Sequence, residues 1–425
     1  MEIGKRITVE ITDTNENGNG IARYEGAVVF VPGLLPGEKA NVVLRVQEKN
    51  YFIADCVSRI SDSVDRITEV CRSAEDCGGC TLGFMSYDAE NRIKRNTVRS
   101  ALRRAGLPYD VVRETVSSDN RTGYRNKISV HYDPASAKFG YRREKSLEVI
   151  DFECCLLCPD IINRTISWTN ANSELISPLE PESLQLRTSS DGVTVSLYTR
   201  KSLKPVFEEY KNRLMNEFDE IREVLIFTPN GKKTNKSYIK DRIYGINMSF
   251  TSEAFRQVNT PAFEKLLDIV HGFASEREFN CGADLYCGSG IIGLTLAKRF
   301  SDASFLGIEI NADAVKDAER NAAENGINNI RFFAGDAPTF GKRIPKNEKT
   351  QLIVVDPPRA GLSKEMRSDL LRLSPERIIY VSCNPQTMAR DTAELCGAGY
   401  HLREVVPVNM FPLTKHCECV VYLCK

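Results

Sequence analysis

The chain has 425 residues, 42% of them hydrophobic and 27% charged, and its formal net charge is zero. This length exceeds one hydrophobic core, so the composition predicts a globular, multidomain α/β protein of two or three domains. No apolar run approaches the ~18 residues of a membrane span, and the opening MEIGKRITVE lacks a signal-peptide core, so we expect a cytoplasmic protein. Zero net charge neither supports nor excludes a nucleic-acid partner, because a sum over the chain hides local patches.

The first segment, residues 1–60, predicts a small antiparallel β-barrel, because apolar residues alternate with polar ones between glycine-containing turns. The predicted strands are Ile7–Ile11, Ala27–Val31, Val42–Val46 and Ile53-Ala54. Within this segment, GNGIARYEGAVVFVPGLLPGEKA resembles a TRAM domain, an OB-like RNA-binding barrel attached to RNA-modifying enzymes. The alternative is a barrel of the same kind with a purely structural role.

The second segment, residues 61–245, predicts a central α+β domain with a basic surface. Its helix, Arg92–Arg104, carries basic side chains and no acid, and the strands within Arg121–Lys145 add basic residues interleaved with aromatic ones. Such a surface suits RNA phosphates and bases, although charge runs also occur on ordinary solvated faces. Turns are predicted at Asp191-Gly192 and at Asn230-Gly231.

A cluster of cysteines in this segment predicts a metal site. Cys71, Cys77 and Cys80 stand as C-x5-C-G-G-C, and in a reducing cytoplasm such clusters indicate metal binding or catalysis more than disulfides. Zinc and an iron–sulfur cluster both take four sulfur ligands, so the spacing leaves both open, together with buried free thiols. The candidates for the fourth ligand are Cys154, Cys155 and Cys158.

The third segment, residues 246–425, alternates apolar strands and helices. This rhythm predicts a mostly parallel, Rossmann-like sheet with helices on both faces. The last apolar run, Glu418–Leu423, predicts a strand that is antiparallel at one side of the sheet. The other predicted elements lie at 282–287, 291–299, 304–310, 312–324, 330–333, 351–355, 364–373, 377–381 and 386–396.

A glycine-rich turn in this third segment predicts a nucleotide site. The stretch CGADLYCGSGIIG begins at Cys281 and passes from an apolar strand through a turn into a helix. Gly288 and Gly290 let a ligand approach the backbone near the unpaired N–H groups of the helix start. Glu309 ends the next strand and is placed to accept a ribose hydroxyl. On its own, the turn could also serve a dinucleotide or bind no nucleotide.

Two further strand ends complete a family resemblance. Asp356-Pro357-Pro358 and Ser382-Cys383-Asn384-Pro385 follow the glycine-rich turn in the order found in S-adenosylmethionine-dependent methyltransferases that modify C5 of uracil in RNA. The chain resembles that family over essentially its whole length. The resemblance implies that Asp356 contacts both the cofactor side and the uracil edge. It also implies cofactor contacts from Gln257 in SEAFRQVN, from Tyr286 and from Asp336.

The chemistry of uracil methylation explains the expected catalytic residues. C5 of uracil becomes nucleophilic only after a thiolate adds to C6, and a base must later remove the C5 proton. Cys383 is the candidate nucleophile, and the helix start near Gln386 is expected to lower its pKa. The resemblance places the general base at Glu418, in HCECVVYL, with His416 beside it.

The resemblance also bears on the metal and on the substrate. Family members that carry a [4Fe–4S] cluster have their fourth cysteine before a proline, which implies Cys158 here. Members that modify 23S ribosomal RNA often carry both the barrel and the cluster, which implies 23S rRNA as the substrate here. We also expect the protein to be a monomer. The alternatives are a tRNA uracil-C5 methyltransferase, an RNA cytosine-C5 methyltransferase and a non-catalytic RNA-binding iron–sulfur protein.

Overall fold

The computed structural model describes residues 2–68, 71, 73–144, 146–229, 238–251, 254–338 and 350–425. The N-terminal strands form one sheet in the order β1-β5-β6-β4-β3-β2. Their alternating pattern puts side chains such as Ile7, Val9 and Val29 into an enclosed core. The strands are β1 (Arg6–Glu10), β2 (Asp13–Thr14), β3 (Gly20–Tyr24), β4 (Ala27–Val31), β5 (Lys39–Gln47) and β6 (Tyr51–Ser61).

This N-terminal sheet departs from the predicted antiparallel pairing at one place. Strand β4 pairs with β6 in parallel, from Val28 opposite Tyr51 to Phe30 opposite Ile53. The reason is the connection. Strand β5 comes between β4 and β6 along the chain and runs antiparallel to β6, so β6 has the same direction as β4.

The next elements are α1 (Ala74–Cys77), α2 (Tyr87–Arg104) and β7 (Val116–Ser117). Helix α2 begins earlier than predicted because Ser86 caps it, with its Oγ accepting the Ala89 N–H at 3.2 Å. Its apolar face, including Val98 and Leu102, packs into the core of the C-terminal sheet, and β7 pairs with a strand of that sheet. The segment 61–245 therefore contributes to two cores, and only its later part packs as a unit of its own.

That later part is a sheet in the order β10-β9-β8-β11-β12-β13 with two helices against it. The helices bury Ile162, Ile166 and Tyr210 against the sheet. The predicted turn at Asp191-Gly192 joins β11 to β12. The predicted turn at Asn230-Gly231 lies outside the described residues. The elements are β8 (Lys127–Asp133), β9 (Lys138–Arg142), β10 (Val149–Asp151), α3 (Asp160–Ala171), β11 (Pro181–Ser189), β12 (Gly192–Thr199), α4 (Lys204–Glu217) and β13 (Ile221–Phe227).

The C-terminal part is a mostly parallel sheet in the order β18-β17-β16-β19-β20-β22-β21-β7, with a cluster of buried apolar side chains on each face. A hairpin of β14 and β15 precedes it. The elements are β14 (Tyr238–Ile243), β15 (Ile246–Thr251), α5 (Thr260–Ala274), β16 (Cys281–Leu285), α6 (Ile291–Arg299), β17 (Ser304–Glu309), α7 (Ala312–Glu324), β18 (Ile330–Ala334), β19 (Leu352–Val355), α8 (Lys364–Leu373), β20 (Arg377–Ser382), α9 (Pro385–Gly397), β21 (His401–Asn409) and β22 (Glu418–Cys424).

The last strand, β22, is antiparallel as predicted but does not lie at the side of the sheet. It is inserted between β20 and β21, with Ser382 opposite Cys419 and Val408 opposite Glu418. This insertion places the first residue of β22 next to the end of β20. Within the described ranges, no helix is long and apolar enough to cross a membrane.

Candidate active site

A cavity of about 1050 Å³ opens at the carboxyl ends of the parallel strands. Ligand sites in open α/β sheets form at this edge, because the loops that follow neighbouring strands meet there. The lining includes residues expected to bind the cofactor and residues expected to react. The predicted site residues that line the cavity are Gln257, Tyr286, Gly288, Glu309, Asp336, Asp356, Cys383 and Glu418.

The glycine-rich turn has the backbone that its sequence predicts. Tyr286, Gly288 and Gly290 all have positive φ angles, of 65°, 54° and 88°. A Cβ on Gly290 would lie 2.8 Å from Phe332 Cζ, so this position must stay small, whereas a Cβ on Gly288 would meet nothing within 4 Å. Gly288 therefore presents open backbone to the cavity, and Gly290 allows α6 to start close to β18.

The carboxylate of Glu309 fixes this turn from the next strand. Its two oxygens accept the N–H of Gly288 at 3.0 Å and the N–H of Asn311 at 2.8 Å. Each oxygen keeps capacity for a further hydrogen bond on the cavity side. The backbone oxygen of Gln257 accepts from Asn126, which ties the predicted cofactor glutamine to the segment before β8.

Cys383 lies between β20 and α9, and the residue after it locks its loop to a neighbouring one. Asn384 caps α9 by accepting the Gln386 N–H at 3.1 Å, and its Nδ2 donates to the Arg359 carbonyl at 3.0 Å. The loop that follows Asp356 is thereby fastened to the loop that carries the thiol. The two strand ends that carry Asp356 and Cys383 are thereby held together.

Burial raises the pKa of all three groups that are expected to react. Burial raises the pKa of Asp356 to about 7, and burial together with Asp356 raises the pKa of Glu418 well above its usual range. Burial, Glu418 and Asp356 raise the pKa of Cys383 to about 11 against the opposite effect of Arg359. The expectation that the helix start lowers this pKa is wrong, because desolvation and two acids outweigh the dipole. Glu418 Oε2 is buried without a hydrogen-bond partner among the described residues.

The predicted metal cysteines lie at a second cavity, of about 430 Å³. Cys71, Cys77 and Cys80 line it together with Cys154 and Cys155. Cys158 is only 4% exposed and sits behind, in the core of the central sheet, where its thiol hydrogen bonds to Cys155 and lowers the pKa of that neighbour. Across the residues that the structure describes, no three of these side chains are arranged to hold a metal ion.

Comparison with known proteins connects these features. Residues 160–425 match the family described as tRNA (uracil-5-)-methyltransferase, and residues 1–57 match the TRAM domain. An uncharacterised RNA methyltransferase of Halalkalibacterium halodurans is 31% identical over 453 residues, covering 99% of this chain and 98% of that relative. This chain belongs to the tRNA (uracil-5-)-methyltransferase family. It is a methyltransferase of the RNA uracil-5 type, and the predicted family and TRAM resemblances are confirmed.

Another relative and a solved structure are also similar to nearly the whole chain. An uncharacterised RNA methyltransferase of Caldanaerobacter subterraneus is 31% identical over 450 residues, covering 99% of this chain and 98% of that relative. Pyrococcus abyssi tRNA (uracil-54, C5)-methyltransferase in complex with S-adenosyl-L-homocysteine superposes with a TM-score of 0.75 at 24% identity, covering 98% of this chain and 100% of that one. That likeness shows that the two proteins share a fold.

Several residues that line the large cavity of this uracil-5 methyltransferase were not predicted from the sequence. Arg125 lines both the large cavity and the cysteine cavity, although the sequence showed only a generally basic segment. Ile310 is 73% exposed and lines the cavity beside Glu309. The sequence signal available for it was an isoleucine directly after Glu309, at the end of a predicted strand. Phe411 and Thr414 reach the cavity from the loop before β22, and nothing in their local pattern marks them.

Proposed function

We propose that this enzyme transfers a methyl group from S-adenosylmethionine to C5 of a uracil in RNA, most simply 23S rRNA, through a covalent adduct with Cys383. The observation that carries the proposal is that Cys383, Asp356 and Glu418, from three separate strand ends, share one cavity with Tyr286 and Glu309. A scaffold that only binds RNA has no need for such a set. We further propose that it works as a monomer in the cytoplasm.

The cofactor half of the proposal rests on the cavity wall around β16 and β17. Gly288 offers exposed backbone beside a helix start, and Glu309 offers carboxylate oxygens toward a ribose. Asp336, on the loop after β18, lines the same cavity and would accept from an adenine amino group. Tyr286 and Ile310 supply apolar surface against which a flat ring can pack.

The chemical half follows from what the residues can do. The Cys383 thiolate adds to C6, and the electron pair of the C5–C6 double bond moves onto the ring as an enolate. C5 then forms a bond to the methyl carbon as the bond between that carbon and the sulfonium sulfur of S-adenosylmethionine breaks. Glu418, as a carboxylate, accepts the C5 proton, the electron pair re-forms the C5–C6 double bond, and the Cys383 sulfur leaves with its electrons. The raised pKa of Glu418 makes its ionised form a better proton acceptor.

The substrate is tested by mapping. We expect labelled S-adenosylmethionine to transfer its methyl group to 23S rRNA, with 5-methyluridine located by mass spectrometry in RNA from cells with and without the gene. Transfer to tRNA alone would replace the substrate by the tRNA alternative, which the family description favours. Transfer to cytosine, or no transfer to either RNA, would overturn the proposed function.

We also propose a [4Fe–4S] cluster at the second cavity. Five cysteines line this one cavity, thiolates are the donors that iron–sulfur clusters require, and the cationic side chains of Arg125 and Lys127 line it as well. Cys71, Cys77 and Cys80 would hold the cluster with Cys158, and Cys154 and Cys155 are the alternative fourth ligands. When bound, the cluster would brace the surrounding loops, and no catalytic step uses it.

Iron analysis and absorption of anaerobically purified protein test this cluster. Serine replacement of Cys158 should release iron, whereas serine replacement of Cys154 or of Cys155 should not. The opposite pattern would make Cys154 or Cys155 the fourth ligand. Protein that contains zinc without iron would make the site a zinc site. The exposed Cys56, on the N-terminal barrel, is the matched control.

A further inference from the structure

The loop between β21 and β22 carries catalytic candidates but has an unfavourable backbone. It delivers Phe411, Thr414, His416 and Glu418 to the active-site cavity. At its centre, Leu413 has a φ of 69°, in the left-handed region that a branched side chain avoids, yet Leu413 is fully buried. Such a conformation persists only when the surroundings determine it.

The surroundings do so through the backbone of the loop. The carbonyls of Met410, Phe411, Pro412 and Leu413 each accept a hydrogen bond from a different part of the chain. The four donors are Asn259 Nδ2 at 3.0 Å, Lys94 Nζ at 2.9 Å, Tyr124 OH at 2.9 Å and the Leu82 N–H at 2.9 Å.

Two charged side chains of α2 occupy the centre of this arrangement. Glu90 and Lys94 form an ion pair at 2.9 Å, and their side chains are 0% and 1% exposed. Glu90 also accepts the Leu413 N–H at 3.0 Å and Asn409 Nδ2 at 2.8 Å. Lys94 donates to Asn409 Oδ1 and to the Phe411 carbonyl. All three Lys94 donors are therefore used, two of them by the loop and its preceding strand.

A buried ion pair is a weak way to gain stability, because desolvation offsets its attraction, but it fixes geometry where directed hydrogen bonds are needed. We infer that the Glu90–Lys94 pair positions the 409–417 loop, and through it the Glu418 carboxylate, for proton removal from C5. The residues do not touch the substrate, so they are positioning residues. The inference rests on the proposed function for its chemical consequence, but the placement of the loop is independent of that function.

The test uses the full-length double variant Glu90→Gln/Lys94→Met. Single variants would leave Glu90 or Lys94 buried without its partner, whereas the double variant removes both charges and keeps the side-chain volumes. Arg121, which also pairs with Glu90 at 3.2 Å, can still donate to the neutral amide oxygen at position 90 and to the Leu82 and Met85 carbonyls. We expect hydrogen exchange in peptides covering 409–417 to rise about tenfold, because the Leu413 N–H loses a charged acceptor. Binding of S-adenosylmethionine should stay unchanged, and methylated RNA bonded to Cys383 should accumulate on denaturing gels because elimination is slowed.

The matched control is Glu38→Gln/Arg66→Met, which removes another buried ion pair, at the base of the barrel. It should leave exchange in the loop and the adduct level as in the wild type. Wild-type exchange in the α2 double variant would overturn the inference. So would a parallel loss of cofactor binding, RNA binding and stability without adduct, since that pattern means a merely structural pair. If wild-type protein methylates no uracil, the proposed function fails, and loop exchange alone still decides the inference.

Discussion

At the scale of single residues, burial dominates the chemistry of the candidate active site. It raises the pKa of Asp356, Glu418 and Cys383, and the two acids raise the pKa of the thiol further. A pKa of about 11 keeps most of the Cys383 thiol protonated at neutral pH. We therefore expect the thiol to lose its proton when the substrate binds.

Replacement of the two residues proposed to react should block the proposed reaction at different steps. Cys383→Ala removes the nucleophile, so neither methyl transfer nor an RNA adduct should occur. Glu418→Gln leaves addition and methyl transfer intact, so methylated RNA should stay bonded to Cys383, with turnover reduced by about 10²–10⁴-fold. Denaturing gels with labelled RNA measure both outcomes, and Cys396→Ala, a half-buried cysteine of α9, is the control.

Two results would contradict these roles. An adduct with 5-fluorouracil RNA in Cys383→Ala would show that another cysteine is the nucleophile. Normal turnover without adduct in Glu418→Gln would move the base to His416 or Asp356, which line the same cavity.

The perturbed thiol can be tested without RNA. Since the pKa of Cys383 is raised to about 11, its alkylation by iodoacetamide should become about tenfold faster per pH unit through the neutral range. Asp356→Asn removes a neighbouring negative charge and should speed alkylation at pH 9 by about three- to tenfold. Peptide mass spectrometry follows Cys383 alone. Asp336→Asn, which does not contribute to this shift, should leave the rate unchanged, and an equal acceleration there would refute the pairing.

At the scale of secondary-structure elements, the sequence predicted the Rossmann-like half well, because its signals are local. The apolar run before Tyr286, the glycines after it and the helix that follows all appear where expected. The placement of α2 could not be predicted in this way. Lys94 counted as one of a row of surface charges, but its partner Asn409 lies 315 residues away along the chain. Local periodicity contains no information about such a contact.

The buried carboxyl group of Asp284 makes the free energy of unfolding depend on pH. The Asp284 side chain, within β16, accepts the Gly293 N–H of α6 at 2.8 Å, and burial raises its pKa to about 8. The folded state therefore binds this proton more tightly than the unfolded state does. Its stabilising contribution is complete below about pH 4 and is lost as pH rises toward 8, by about 1.4 kcal/mol per pH unit.

Asp284→Asn should remove this part of the pH dependence. The asparagine cannot ionise, so the free energy of unfolding should fall less steeply between about pH 5 and 8 than in the wild type, by about 1.4 kcal/mol per unit. Urea unfolding at several pH values measures the slope. Asp302→Asn, at an exposed turn, is the control. An unchanged slope in Asp284→Asn would mean that the carboxyl is ionised in the folded protein.

At the scale of the whole molecule, the N-terminal barrel is not an appendage on a linker. Leu35 packs with Leu82, Met85 and Ala89, and Arg66 forms a buried ion pair with Glu38. Glu16 at the barrel edge accepts from Arg104 of α2 and from Gln386, the second residue of α9. Deleting the barrel would expose these contacts, so its role in RNA binding is better tested by surface substitutions.

The surface to test is the groove of about 550 Å³ between the barrel and α2. Three basic side chains of α2 already form ion pairs within the protein. Arg92 pairs with Asp65, Arg95 with Glu114 and Arg104 with Glu16. Arg99 and Arg103 line the groove, and no carboxylate of a described residue pairs with them. These two cations are the ones that α2 offers to an RNA phosphate.

Arg99→Ala and Arg103→Ala should therefore weaken RNA binding through the salt-dependent part of the affinity. Each phosphate contact that is lost should reduce the slope of log K against log salt concentration by about 0.7–0.9, and the double variant should lose about twice that. Titrations at several salt concentrations measure the slope. Arg213→Ala, whose side chain pairs with Glu209 on α4 away from the groove, is the matched control and should keep the wild-type slope. If the double variant also keeps it, RNA does not pass through this groove, and the barrel contacts α2 for structural reasons alone.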